Sequence, residues 1–329
     1  MTRLVAVVGS TATGKSALGI AIARAFDGEI VACDSTAVYR GLDIGTDKLP
    51  VEAQGGIPHH LVDVVEPTAV YSAARYAADA AAAIRDISAR GRLPILVGGT
   101  GFYYRALVRG MFPGPARDEA LRARLDRAAD RRGVEWLHRW LTRVDPASAR
   151  RIQPRDRKRL MRAIEVYRLT GRPLTEHFAA TVSLIADYDV FTIGLRLPRP
   201  ALEARVRRRV DEQFARGIRA EVDALIASGV PETAHAFSGL VYRQVVEWRR
   251  GVRDETATRE LIVRENMRYA RRQVLWFRHE PGVDWMDGAG EADAVRDEAL
   301  RLVAAVLARE RRSAPAGRSD TVDGNTSSV

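Results

Sequence analysis

Gly9-Ser10-Thr11-Ala12-Thr13-Gly14-Lys15-Ser16 fits the pattern G-x-x-x-x-G-K-[ST]. It follows the apolar run LVAVV (4–8) and opens a helical pattern, the context in which such a loop cradles phosphate. Its glycines let successive backbone N–H groups converge on an anion, and the helix N-terminus adds partial positive charge. Lys15 is placed to reach the terminal phosphate of a di- or triphosphate, and the Ser16 hydroxyl to hold Mg2+. A second apolar run, EIVAC (29–33), ends at Asp34 in Asp34-Ser35-Thr36-Ala37. Strand C-termini of an open parallel sheet share one edge, so Asp34 and the phosphate loop can face one crevice. There Asp34 suits a general base acting on a second substrate, against the alternative of a plain turn residue. A third run, LPILV (93–97), leads into Gly98-Gly99-Thr100-Gly101, a turn that admits close ligand approach and offers the Thr100 hydroxyl. It carries no carboxylate, whereas a nucleotide hydrolase places an Asp at such a strand end to organise magnesium.

These loops need strands and helices to position them. The three apolar runs read as buried strands, with helices at Ser16–Ala25 and Ala73–Arg90 between them. That is the βαβ pattern of an α/β protein with a parallel sheet. From Pro115 the pattern turns helical, at Asp118–Arg131, Glu135–Leu141 and Asp156–Leu169, until DVFTIGLRL (189–197) restores a strand. The expected organisation is an α/β core from 1–114 and 186–312, a helical insertion over 115–185, and a polar, aperiodic tail over 313–329 read as disordered. A last long helix, about 254–279, carries an apolar stripe from Val263 to Phe277. Beside it runs a cationic stripe of Arg264, Arg268, Arg271 and Arg278.

Charge distribution adds a partner. The 329 residues carry a formal +10, and residues 111–182 hold 17 basic against 9 acidic residues, nearly all of the surplus. A local positive field of this kind suits a polyanion such as nucleic acid. Within it the basic helix 155–172 sets Arg155, Arg159 and Arg162 on one face, as a contact for an RNA backbone. The single cysteine, Cys33, excludes an internal disulfide and a Cys-cluster metal site. The adjacent His59 and His60 read as structural, and Trp136 and Trp140 as packing. No stretch reaches the ~18 uncharged apolar residues of a membrane span, and the N-terminal run is too short for a signal core. A cytoplasmic monomer is expected.

The sequence resembles the tRNA dimethylallyltransferase (tRNA isopentenyltransferase) family. The matching segments are GSTATGKS (9–16), DSTAVYRGLDIGTDK (34–48), PHHLVD (58–63), YSAARY (71–76), GGTGFYYRAL (98–107), DRKRLMRAIEVYRLTG (156–171) and YARRQVLWFR (269–278), in that order. The resemblance implies a P-loop NTPase-like core that transfers a dimethylallyl group from dimethylallyl diphosphate. The acceptor would be N6 of adenosine 37, next to the anticodon, in tRNAs reading codons that begin with U. The phosphate loop, formally an ATP-binding motif, would then hold the diphosphate, with Mg2+ at Ser16. The resemblance makes Asp34 the proton acceptor, sets Thr100 against the target adenosine, and gives Arg209 the charge of the departing pyrophosphate. It also implies contacts with the tRNA anticodon stem-loop from Asp34, Ser35, Thr36, Ala37, Thr100 and Arg122. Further contacts would come from Arg155, Lys158, Arg159 and Arg162, and from Arg268, Arg271, Arg272 and Arg278. The chain departs from the family's pattern at Ser10, where Pro is usual, at Val241, where Gly is usual, and at Asn266-Met267-Arg268. Rival readings are a P-loop small-molecule or nucleotide kinase and a non-catalytic RNA-binding protein.

Overall fold

Apolar runs ending near glycine or aspartate form the inner parallel strands of one sheet, with a histidine pair and a charged strand at its edges. The computed structural model describes residues 2–112 and 114–313, with side chains as far as residue 309. The first third runs β1 (Thr2–Gly9), α1 (Lys15–Ala25), β2 (Gly28–Cys33), β3 (His59–His60), α2 (Ala73–Ala89), β4 (Leu93–Gly98) and α3 (Gly101–Val108). Five helices follow: α4 (Glu119–Arg132), α5 (Val134–Val144), α6 (Pro146–Arg151), α7 (Arg157–Thr170) and α8 (Leu174–Ala179). The chain then returns through β5 (Tyr188–Arg196), α9 (Arg199–Ala215), α10 (Ile218–Ala227), α11 (Tyr242–Arg249), α12 (Glu255–Arg278), β6 (Val283–Asp287) and α13 (Asp293–Ser313). The sheet order is β3-β2-β4-β1-β5-β6, and every pairing is parallel.

β1 is one of the two central strands, and Leu4 to Val8 are wholly buried. Its period of two divides the core. Val5 and Val7 face Leu18, Ile22, Ala299 and Val303, whereas Leu4, Ala6 and Val8 face the side holding Tyr76, Ile84, Leu107 and Phe277. Helices thus cover both faces, which is why the strands read as unbroken apolar runs.

Helices α4 to α8 add no strand to this sheet and enclose an apolar cluster of their own, built on Leu125, Leu137, Leu141, Leu160 and Ile164. Aspartates start three of them: Asp118, Asp145 and Asp156 accept from the N–H groups of Leu121, Ser148 and Arg159 at 2.8, 2.9 and 3.1 Å. The cluster is closed by a buried carboxylate. Glu165 accepts from Arg122 Nε and Nη2 (2.8 and 2.9 Å), from Arg162 Nη1 (2.8 Å) and from the Asp118 N–H (3.0 Å). Burial alone would raise its pKa, but these donors lower it to about 2.

The strands and helices expected from periodicity appear within a residue or two of their expected ends, except that α5 runs three residues past the expected Leu141, to Val144. The two-residue β3 and the charged β6 lacked a periodic signal. β3 explains the histidine pair: His60 Nε2 bonds Glu29 Oε2 at 2.7 Å, and His59 Nδ1 bonds the Ile57 carbonyl at 2.8 Å, so both are structural. Arg155 precedes α7 rather than joining it, and Arg162 turns inward to Glu165, so Arg155, Arg159 and Arg162 do not form one solvated face. The expected tail lies outside the described residues beyond Ser313.

Val241, where the family's pattern has Gly, caps α11 at φ 76° and ψ −61° while 97% buried. A β-branched side chain at positive φ stores strain of about 1–3 kcal/mol. Val241→Ala should lose burial and keep the strain; Val241→Gly should relieve it. In urea melts the Gly variant should therefore be more stable than the Ala variant by about 1 kcal/mol, the reverse of the usual order. Equal stabilities, or Ala above Gly, would show that Val241 is unstrained.

Candidate active site

The phosphate loop is fixed from outside, which leaves its inner surface for an anion. Gly14 caps α1 at φ 83°, and a Cβ there would overlap the Glu291 carboxylate and approach Gly290 N to 2.7 Å. Thr13 Oγ1 donates to the Ser10 carbonyl at 2.8 Å, and the Gly290 N–H to the Thr13 carbonyl at 2.8 Å. Arg205 Nε donates to the Ala12 carbonyl at 2.6 Å and its guanidinium pairs with Glu291 at 2.5 Å. Ser10, wholly buried, carries an Oγ with no partner among the described residues.

Cations gather over the loop. Lys15 Nζ donates to the Ser10 carbonyl at 2.6 Å. Burial, then the nearby Arg209 guanidinium, push the Lys15 ammonium down to about 8, against the opposing pull of Asp34. Arg209, from α9, donates through Nη1 to Thr11 Oγ1 at 2.7 Å, one helical turn beyond Arg205.

The β2 loop faces this cradle. Asp34 Oδ1 accepts from the Thr36 N–H (2.8 Å), the Thr36 hydroxyl (2.7 Å) and the Ala37 N–H (3.2 Å). The turn-residue and general-base readings therefore apply to different oxygens: Oδ1 organises the loop, and Oδ2 has no hydrogen bond among the described residues. Thr100 Oγ1 accepts from the Ser35 N–H at 3.1 Å, which ties the β4 loop to the β2 loop. Beside them Tyr269 keeps its proton, since burial and then the Asp34 charge raise its phenol to about 12.

Lys15, Ser16, Asp34, Arg209 and Tyr269 line one cavity of about 420 Å3. Gln273 joins its two sides. Its Oε1 accepts from the Thr11 N–H at 2.8 Å, and its Nε2 donates to the Gly99 carbonyl at 2.9 Å. Gly99 must be Gly for this, because a Cβ would collide with that amide. Arg205, Tyr269, Gln273 and Asp47, also in the lining, were not singled out as site residues from sequence. The available signals were one-turn spacing to Arg209 for Arg205, and position within the quoted segments for the others.

The residues expected to contact RNA do not gather in one place. Ser35, Thr36 and Ala37 follow Asp34 in its turn, and of the three Ala37 lines the cavity. Arg155, just before α7, and Lys158 and Arg159, in its first turn, are exposed, with Arg155 3.0 Å from Glu135 and Arg159 3.4 Å from Asp156. Arg122 and Arg162 are instead committed to Glu165. On α12, Arg272 lies over the Tyr269 ring at 5.6 Å. Arg268, Arg271 and Arg278 point away from Gln273, into a separate groove between α9 and α12. A helix advancing ~100° per residue puts these three opposite Gln273. Ser16 is exposed on the cavity wall, and the described residues contain no cluster of three or more His, Cys, Asp or Glu placed to hold a metal. Such a wall fits an ion held mainly by substrate phosphates and water, as Mg2+ is, with one hydroxyl from the protein. No helix among the described residues is long and apolar enough to cross a membrane.

Comparisons with known proteins agree with this geometry. The family model described as IPP transferase matches residues 37–280. A tRNA dimethylallyltransferase of Solibacter usitatus is 45% identical over 92% of this chain and 99% of its own length. One from Geobacter sulfurreducens is 39% identical over 92% and 97%. The crystal structure of the full-length tRNA isopentenylpyrophosphate transferase from Bacillus halodurans is 34% identical. It superposes with a TM-score of 0.71, covering 95% of this chain and 99% of that one. With a phosphate loop facing an aspartate across one crevice, and relatives aligned nearly end to end, the chain belongs to the tRNA dimethylallyltransferase family.

Proposed function

We propose that the chain transfers a dimethylallyl group from dimethylallyl diphosphate to N6 of adenosine 37 in tRNA, with Mg2+, as a monomer in the cytoplasm. The observation that carries this is the pairing, in one cavity, of the phosphate loop with an aspartate whose second oxygen is free. An exocyclic adenine amine is a weak nucleophile because its lone pair is delocalised into the ring. As its bond to the dimethylallyl carbon forms, the carbon–oxygen bond to the diphosphate breaks. The amine proton passes to Asp34 Oδ2, whose partner oxygen keeps the carboxylate oriented. The developing charge on pyrophosphate falls to Lys15, Arg209 and the loop N–H groups. Ser16 would hold Mg2+, which supplies further charge neutralisation at the leaving group.

Thr100 and Tyr269 flank Asp34 and offer hydroxyls to the acceptor base, which must leave its stack to enter. We assign the helical segment 115–185 as the lobe that grips the anticodon arm through exposed Arg155, Lys158 and Arg159, with Arg122 and Arg162 holding that lobe's face together. The direct assay incubates the protein with labelled dimethylallyl diphosphate, labelled ATP and unmodified tRNA. Label should move from the diphosphate to tRNA. Transfer from ATP instead would replace this reading with a kinase.

Three further outcomes follow from the geometry. Asp34→Asn keeps the Oδ1 acceptor of the turn and removes the base, so transfer should fall by about 10²–10⁴-fold while tRNA binding persists. Near-normal turnover would remove Asp34 from the proton path. Because a bound diphosphate raises the Lys15 pKa above about 8, binding takes up a proton only at higher pH. Affinity for dimethylallyl diphosphate, measured without tRNA by calorimetry, should be flat below pH 8 and fall above it, approaching tenfold per pH unit. A flat profile to pH 9.5 would exclude Lys15 from the cradle. Replacing Arg155, Lys158 and Arg159 together with Ala should weaken all tRNA substrates alike and lower the salt slope of binding by about two to three. An unchanged slope would show that these side chains only face solvent.

A further inference from the structure

Arg209 already has a carboxylate partner inside the crevice. Its Nη2 lies 2.7 Å from Asp47 Oδ2, and Arg216 Nη1 lies 3.7 Å from Asp47 Oδ1. Asp47 lines the same cavity as Lys15 and Ser16, so its charge stands where a diphosphate would also be felt. Both members of the pair are about 30% exposed, too sheltered for solvent to screen them fully.

The loop that carries Asp47 is anchored on several sides. Glu221 accepts from the N–H groups of Asp43 and Ile44 at 3.0 and 2.7 Å and from the Tyr242 hydroxyl at 2.7 Å. The Gly45 N–H donates to the Tyr242 hydroxyl at 3.1 Å, and Gln213 Nε2 to the Gly45 carbonyl at 3.2 Å. Lys48 Nζ ties the far end to the Tyr39 carbonyl at 2.6 Å and to Asp43 Oδ1 at 2.8 Å. Asp47 itself sits at φ 57°, a left-handed backbone that aspartate and asparagine tolerate better than other side chains. Its carboxylate cannot follow Arg209 far if the guanidinium turns to another anion.

We propose that Asp47 is a built-in counter-anion for Arg209 that competes with the diphosphate, weakens its hold and speeds release of pyrophosphate. This rests on the reading of the phosphate loop as the diphosphate cradle. When the diphosphate engages Arg209, the guanidinium leaves Asp47 or is shared with it, and the two anions repel. When pyrophosphate departs, the pair re-forms and offsets part of the cost of losing the product. Asp47 is thus a positioning residue that acts through Arg209 and sets how tightly product is held, without touching the acceptor base.

The test is calorimetric titration of the full-length protein with inorganic pyrophosphate and Mg2+ at pH 7.5, comparing wild type, Asp47→Asn, Arg209→Gln and the double variant. Asparagine keeps the size and backbone preference of Asp47, so the fold should persist, and a thermal melt checks this. Asp47→Asn should bind pyrophosphate about fivefold more tightly, and its steady-state transfer should be inhibited by pyrophosphate at correspondingly lower concentration. In the Arg209→Gln background the same change should have less than half that effect on a logarithmic scale. A purely structural role would weaken binding, not tighten it. Unchanged or weaker pyrophosphate binding by Asp47→Asn, with wild type binding normally, would overturn this proposal alone. Failure of wild type to bind pyrophosphate would overturn both the cradle reading and this proposal.

Discussion

The carboxamide of Gln273, buried between two strand-end loops, accepts from the Thr11 N–H and donates to the Gly99 carbonyl. A carboxamide has one acceptor end and one donor end, so it spans two backbones only in this sense and at this separation. The loop after β1 and the loop after β4 are thereby held a fixed distance apart, by a side chain from a helix more than 170 residues further along the chain. Asp34 enters the same frame through the bond between Ser35 and Thr100. Reaction geometry therefore depends on α12 packing against the sheet, which Phe277 and Ala270 secure on the buried side of that helix. Pairing of β1 with β4 brings the roots of the two loops together, and this buttress fixes the loops themselves beyond the strand ends.

Electrostatics divides the arginines into two populations. Three buried glutamates each gather more than one cation. Glu165 binds Arg122 and Arg162, Glu280 binds Arg105 and Arg109, and Glu29 binds Arg90, Arg92 and His60. Planar guanidinium groups suit such sites because they meet a carboxylate with two parallel donors and stay charged when sheltered. For Glu29, the hydrogen bond from Arg90, opposed by burial, brings the pKa to about 2. A basic composition is thus partly an internal framework, and only the exposed remainder makes a field for RNA.

The core strands, the phosphate loop and Asp34 were legible in sequence because each carries a local pattern: an apolar run, fixed glycine spacing, a turn residue at a strand end. Arg205, Asp47 and Gln273 had no such pattern, since only tertiary packing brings them to the cavity. Arg162 shows the limit from the other side. Periodicity gives the direction in which a helical side chain points, but Glu165 and the incoming Arg122, 43 residues away, decide what it meets. The α12 stripe is similar: its spacing was correct, and its orientation relative to the crevice depended on where α9 packs. Family resemblance supplied the acceptor and donor, which no periodicity contains.

The order of strands in the sheet has a consequence for how the chain is made. β1 pairs with β4 on one side and β5 on the other, and β5 is synthesised only after all five helices from α4 to α8. During translation those helices, with their own apolar cluster, can condense first, while the far edge of β1 waits unpaired in the nascent chain. Such an edge is a template for pairing with other chains until β5 arrives. The phosphate loop is completed later still, by Arg205, Arg209, Gln273 and Gly290. Pairings of this sequence separation fold slowly, so the edge of β1 stays open for longest just where the phosphate loop must later be closed by the last third of the chain.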